Sequence, residues 1–297
     1  MMSDAAPVTI ADPQLSAAIS PVGAELQWLR DEGGRDLLWD GDPAWWNGRA
    51  PILFPVIGCV ADGMVRVDGR AYPMPKHGLV RRRVFAVIQQ APDRVTFVLE
   101  ADDDTRASYP FDFRLEIAFA IEKTVLSITA AVSNRGATAM PASFGYHPAL
   151  RWPLPYGGAR EEHVIRFDED EPAPVRRIGD DQLLRPDPET TPVAGAVFHP
   201  RDELFVGDAL IFDRLSSRGV RFGTPGHRAI GVRFPDQPML GIWTKPGAPY
   251  LCVEPWQGMA DPQGFAGELR EKPGIVEIAP GATRAFTLRI ESDAGTL

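Results

Sequence analysis

FRLEIAFAIEKTVLSITAAVSNRG, residues 113 to 136, alternates apolar and polar side chains twice over. Phe113, Leu115, Ile117, Phe119 and Ile121 fall on one face of an extended chain. Leu126, Ile128, Ala130 and Val132 repeat the pattern after a short break. A period of two over such lengths is the signature of strands with one buried side. The stretch therefore reads as an antiparallel hairpin. RVFAVIQQAPDRVTFVLEADDD, residues 83 to 104, reads the same way, with Ala91, Pro92 and Asp93 at the turn, where proline fixes φ and aspartate bonds nearby backbone.

Working outward, further strands are expected at Asp62 to Tyr72, His163 to Phe167, Val220 to Phe222, His227 to Phe234, Gly274 to Ile278 and Ala285 to Ile290. Helical signals are scarce. DPAWWNG (42 to 48) and RDELFVGDALIF (201 to 212) could each hold a turn or two, the second opening with acidic residues that suit a helix N-terminus. With 29 prolines and 28 glycines as punctuation, the chain reads as all-β: a large antiparallel sandwich or barrel with few short helices. The Pro- and charge-rich run from Trp152 to Gly195 is read as an excursion of one domain spanning residues 1 to 297, because strand patterning resumes on both sides. No repeat of 20 to 50 residues is visible, which leaves propellers and solenoids unsupported.

Composition narrows the function. The 297 residues are 44% hydrophobic and 24% charged, enough for a substantial core. A net charge of -9 argues against a protein built to grip nucleic acid or an anionic membrane surface. Two cysteines, Cys59 and Cys252, are too few for a disulfide framework or a four-thiolate zinc site, and a reducing, cytoplasmic compartment is expected. The N-terminus lacks the basic start and apolar block of a secretion signal. Gly-rich phosphate loops before a helix, HExxH and GxSxG are absent, so nucleotide, zincin and serine-hydrolase chemistry lose support.

Four short stretches combine stiff backbone, aromatics and a few polar groups: NGRAPILFPVIG with Arg49, MPKHGLVRRR with His77, FGYHPALRW with His147, and GAPYLCVEPWQG with Glu254. Glu254 stands between Val253 and Pro255 in an apolar strand end, and a carboxylate is seldom buried without a partner or a task. His163, His199 and His227 sit among charges, Pro and Gly, where solvated loops are expected. Trp152, Trp243 and Trp256 are candidates for core packing or for stacking on a ligand ring.

These stretches, in this order and together with ISPVGAELQWLRDEGGRDLLWDGDPAWW, LFVGDALIF and IWTKPGAPYLCVEPWQGMAD, make the chain resemble the aldose 1-epimerases, or mutarotases, and most closely their bacterial LacX-like branch. The resemblance implies a galactose mutarotase-like β-supersandwich, a sugar as the small-molecule partner, and no metal or organic cofactor. It implies roles as well: His147 as general acid, Glu254 as general base, His77 as a sugar contact near the ring oxygen, and Arg49 and Asp208 as binders of sugar hydroxyls. The chemistry agrees, because opening a cyclic aldose needs one group to take the anomeric hydroxyl proton and another to protonate the ring oxygen. Imidazole and carboxylate suit those tasks near neutral pH.

Three other readings stay open at the sequence level. A sugar-binding or sugar-sensing protein could keep the sandwich without turnover. A hexose-6-phosphate mutarotase would add a cationic subsite, for which Arg49, Lys76 and Arg81 are candidates. His77, His147 and Glu254 could instead ligate iron or zinc. The sequence does not fix the sugar or the oligomeric state.

Overall fold

The computed structural model describes residues 6 to 297. Its centre is a nine-stranded antiparallel sheet. In spatial order the strands are Val197–Phe198, Val164–Phe167, Gly219–Gly223, Ile230–Arg233, Thr283–Glu291, Val125–Asn134, Phe113–Glu122, Arg94–Glu100 and Ala86–Ala91. The hairpin over 113 to 136 forms as its pattern requires: Glu122 pairs with Val125 across the two-residue turn Lys123-Thr124, and Phe113, Leu115, Ile117, Phe119 and Ile121 are all buried. Leu126, Ile128, Ala130 and Val132 lie beside them in the core, and Phe286, Leu288 and Ile290 of the neighbouring strand extend the same face.

A second sheet packs over this apolar face. It runs in the order Leu210–Phe212, Met239–Trp243, Tyr250–Gln257, Phe144–Tyr146 and Ile52–Leu53, with Ala149–Arg151 also paired to Tyr250–Gln257. Tyr146 fastens the two layers. Its hydroxyl donates to Phe286 O at 2.8 Å and lies 3.1 Å from Ile128 O, while the Ala130 N–H donates to it at 3.1 Å. Successive strand residues point to opposite faces, so Tyr146 enters the core and its neighbour His147 faces away from it. Smaller sheets flank the two layers: Val8–Asp12, Leu15–Ser20 and Glu25–Asp31 form one, and Met140–Ala142 with Val276–Ile278 another.

Several sequence expectations need correction. The single strand expected over Asp62 to Tyr72 is a hairpin of Met64–Val67 and Arg70–Pro73, because Asp68 and Gly69 both take positive φ (50° and 76°) and form the two-residue turn that Asp-Gly favours. His163 is fully buried, not solvated: its Nε2 accepts from Leu154 N–H at 3.0 Å, and its Nδ1 lies 2.9 Å from Ala159 O and 3.1 Å from the Thr224 hydroxyl. Trp152 is a core residue whose indole N–H donates to Arg160 O. His199 and His227 are exposed as expected. DPAWWNG holds turns only, and RDELFVGDALIF divides into a 3-10 turn at Asp202–Phe205 and the strand Leu210–Phe212. The excursion after Trp152 returns Val164–Phe167 to the large sheet and sends Ile178 and Gln182 to the rim of a cavity on the second sheet. Among the described residues no helix is long and apolar enough to cross a membrane.

Candidate active site

The cavity, about 310 Å³, opens on the face of the second sheet that turns away from the large one. Strand register explains what lies at its floor. Phe144 and Gly145 face Gln257 and Trp256; after a short interruption, Ala149, Leu150 and Arg151 face Cys252, Leu251 and Tyr250 in the same register. Counting inwards from both sides, His147 stands opposite Glu254. The interruption has a cause in the sequence: Pro148 and Pro255 have no N–H to give to the ladder. One bond survives, from Val253 N–H to Pro148 O. Directly opposed residues hold their Cβ atoms about 5 Å apart, and here the side chains meet, His147 Nε2 lying 3.1 Å from Glu254 Oε2.

Glycine makes the room above this pair. Gly241 is the partner of Glu254 on the other neighbouring strand, and any side chain there would run into the Trp256 indole, as would one at Gly145. Trp256 is thus laid flat into the floor of the cavity between two glycines. Trp46 stacks on the His147 ring at 4.9 Å and 29°, and Trp243 approaches it edge-on at 6.0 Å.

His77 reaches the cavity from a different segment. Its backbone is left-handed (φ 66°), as is that of Gly78 (φ 80°), where any side chain would overlap the Phe54 carbonyl. The backbone N–H of His77 donates to Gly58 O at 2.9 Å, and Gly58 N–H donates back to His77 Nδ1 at 3.1 Å. That second bond fixes the tautomer: Nδ1 accepts, so Nε2 carries the proton. The ring meets His147 edge-on at 5.7 Å.

Burial governs the electrostatics. His147 is 7% exposed and Glu254 1%. Loss of water pushes the His147 imidazole down to about 3, with Lys76 and Arg81 adding to the effect. Burial likewise raises the Glu254 carboxyl well above its usual range; Asp208 adds to the rise and Lys76 opposes it. His77 is held well below its ordinary value by burial and then by His147. Both shifts disfavour the charged forms, and at 3.1 Å Nε2 and Oε2 are close enough to share one proton. Glu254 therefore does not raise the imidazole as a neighbouring carboxylate in water would; desolvation outweighs that attraction.

Of the five residues singled out in the sequence, His77, His147, Asp208 and Glu254 line this cavity. Asp208 does so from a left-handed position (φ 69°) with its carboxylate accepting from Ala209 N–H. Arg49 is not among the lining residues. Its guanidinium donates to Asp40 O at 2.7 Å and to Gln27 Oε1 at 2.6 Å, so it anchors the Asp40–Gly48 loop from outside. The cationic groups that do face the cavity are Lys76 and Arg81. Trp46, Cys59, Ile178 and Gln182 also line it and escaped sequence reading; paired tryptophans in a polar turn were the available signal for Trp46.

Residues 7–273 match the family model described as aldose 1-epimerase. The chromosomal and plasmid LacX proteins of Lactococcus lactis subsp. lactis are each 27% identical over 283 residues, 92% of this chain and 95% of theirs. Among solved structures, a galactose mutarotase-like protein from Lactobacillus casei ATCC 334 superposes with a TM-score of 0.89 at 28% identity, covering 96% of this chain and 99% of that one. A galactose mutarotase related enzyme from Lactobacillus acidophilus gives 0.87 at 26% identity, covering 98% and 100%. The match over most of the chain, on a shared two-layer β fold, makes this protein a member of the aldose 1-epimerase family.

Proposed function

We propose that the protein is a mutarotase, interconverting the α and β anomers of an aldose without metal or cofactor. The observation that carries this reading is the 3.1 Å contact between His147 Nε2 and Glu254 Oε2 at the floor of an open cavity. In a cyclic aldose the anomeric hydroxyl oxygen and the ring oxygen are bound to one carbon. An acid and a base held this close can each address one of them. Glu254 takes the hydroxyl proton as the one proton the pair carries passes through His147 Nε2 to the ring oxygen; the ring opens, the carbonyl end rotates, and the reverse transfers close it on the other face. The proton balance is zero over the cycle, so one proton on the pair suffices. The raised basicity of the buried carboxylate favours abstraction, and the lowered basicity of the buried imidazole favours donation.

The Nε2–H of His77 supplies a neutral donor beside the reacting oxygens, Asp208 accepts from hydroxyls farther along the ring, and the indoles of Trp46, Trp243 and Trp256 offer faces for sugar C–H groups. A non-reacting sugar binder is the less supported reading, since binding alone requires no proton shared between two buried groups. Anomer exchange followed by polarimetry or saturation-transfer NMR tests the proposal: wild-type protein accelerates it, and His147→Ala and Glu254→Gln accelerate it far less.

The finer substrate reading is an aldose bearing a phosphate. Lys76 and Arg81 line the cavity, and neither makes a salt bridge among the described residues; Lys76 Nζ donates to Gln182 Oε1 at 2.8 Å. Burial lowers the Arg81 guanidinium, a cost that an anionic substituent would offset. Comparison of free hexoses with their 6-phosphates decides it. Arg81→Ala would raise KM selectively for the phosphorylated sugar, and an equal effect on both would remove this reading.

A further inference from the structure

We infer that His147, Cys252 and Glu254 form a binding site for one thiophilic divalent cation, zinc being the representative ion. One ligand atom from each lies within 4.8 Å of the others, and all three residues are buried. Cys252, a free thiol, precedes Glu254 by two positions and so shares its face of the strand Tyr250–Gln257, while His147 stands across from Glu254. The three donors thus project from paired strands instead of mobile loops, the kind of support that holds a metal site in shape.

The donor set is the one zinc selects: an imidazole nitrogen, a thiolate sulfur and a carboxylate oxygen, with Zn–N about 2.0 Å and Zn–S about 2.3 Å. It differs from the His77–His147–Glu254 set that the sequence alone suggests, because the Nδ1 of His77 is already engaged by Gly58 N–H. Charge favours the new set. A neutral imidazole, one thiolate and one carboxylate cancel a dication, so the occupied site adds no net charge to a cluster of buried side chains. Coordination forms metal–nitrogen, metal–sulfur and metal–oxygen bonds; the thiol proton, and the proton shared by the pair, leave to solvent. Nothing is oxidised or reduced. His147 and Glu254 line the cavity, which leaves a fourth position open toward it for water. If the mutarotase reading holds, an ion here occupies both proton carriers at once and inhibits turnover; the site itself does not depend on that reading.

Cobalt(II) added to the metal-free protein reports on the site without any assay of turnover. Occupancy produces one equivalent of bound cobalt with a sulfur-to-cobalt charge-transfer band, which zinc abolishes by displacement. Cys252→Ser removes the band and weakens zinc binding, measured against a chromophoric chelator, by at least about 10-fold; Cys252→Ala serves as a second variant, and near-UV circular dichroism checks that both are folded. Cobalt bound to wild-type protein without the band, no stoichiometric binding, or zinc affinity unchanged in the folded Cys252 variants would overturn the inference. Metal-free protein that binds zinc through Cys252 yet fails to exchange anomers would refute the mutarotase reading and leave the site standing.

Discussion

At the scale of single residues, the site is defined by how a proton is shared between two groups that burial keeps from being charged. Two outcomes follow for the wild-type protein. In the proposed mutarotase mechanism, exchange requires one proton on the His147–Glu254 pair. Taking up a second proton means charging an imidazole that burial pushes down to about 3, so activity persists well below the ordinary imidazole value of about 6.5. Losing the only proton means ionising a carboxyl that burial pushes up, so the alkaline limb lies above the usual carboxylate range. A pH–rate profile whose acid limb falls near 6.5 would contradict this account. His147→Ala and Glu254→Gln each lower kcat by about 10² to 10⁴-fold, the usual contribution of a positioned acid or base, with little effect on folding because the cavity beside them already admits solvent. Trp46→Ala removes the ring stacked on His147 and raises KM more than it lowers kcat, since stacking at a hydrophobic face mainly binds. Of these residues His147, Glu254 and His77 were legible because proline or glycine stiffens the chain beside each. Trp46 was not, because a tryptophan turn looks the same whether it faces solvent or a cavity.

At the scale of elements, the hairpin over 113 to 136 was legible to the residue, since strict alternation over ten positions leaves little choice of buried face. Phe119 is among the side chains it buries, packed edge-on to Phe97. Phe119→Ala is expected to destabilise the fold by about 3–5 kcal/mol in a denaturant titration. The strand Tyr250–Gln257 was harder to read because every residue in it is buried, which erases the alternation. Its register with Phe144–Arg151 was invisible in sequence, though it alone sets His147 against Glu254. Deleting Val253 would turn Glu254 to the opposite face of the sheet, away from His147, and abolish exchange. The Asp68-Gly69 turn shows the reverse case, a clear local signal that reading Asp62 to Tyr72 as one strand overlooked.

At the scale of the whole molecule, the cavity gathers side chains from segments up to about two hundred residues apart, so nothing short of the complete fold assembles it. One buried ion pair belongs to that assembly. Lys272 bonds Asp261, whose other carboxylate oxygen accepts from Ala61 N–H and whose backbone N–H donates to Cys59 O beside the cavity. Lys272→Met leaves the Asp261 carboxylate buried with no cation and is expected to cost about 3–5 kcal/mol, read as a lowered denaturation midpoint. Tyr146 has a larger consequence. Its hydroxyl grips the backbone of the large sheet one residue before the imidazole that lines the cavity, so loosening the layers misplaces that imidazole at the same moment. Heat inactivation and loss of tertiary structure would then trace a single curve, and no expanded intermediate would retain turnover.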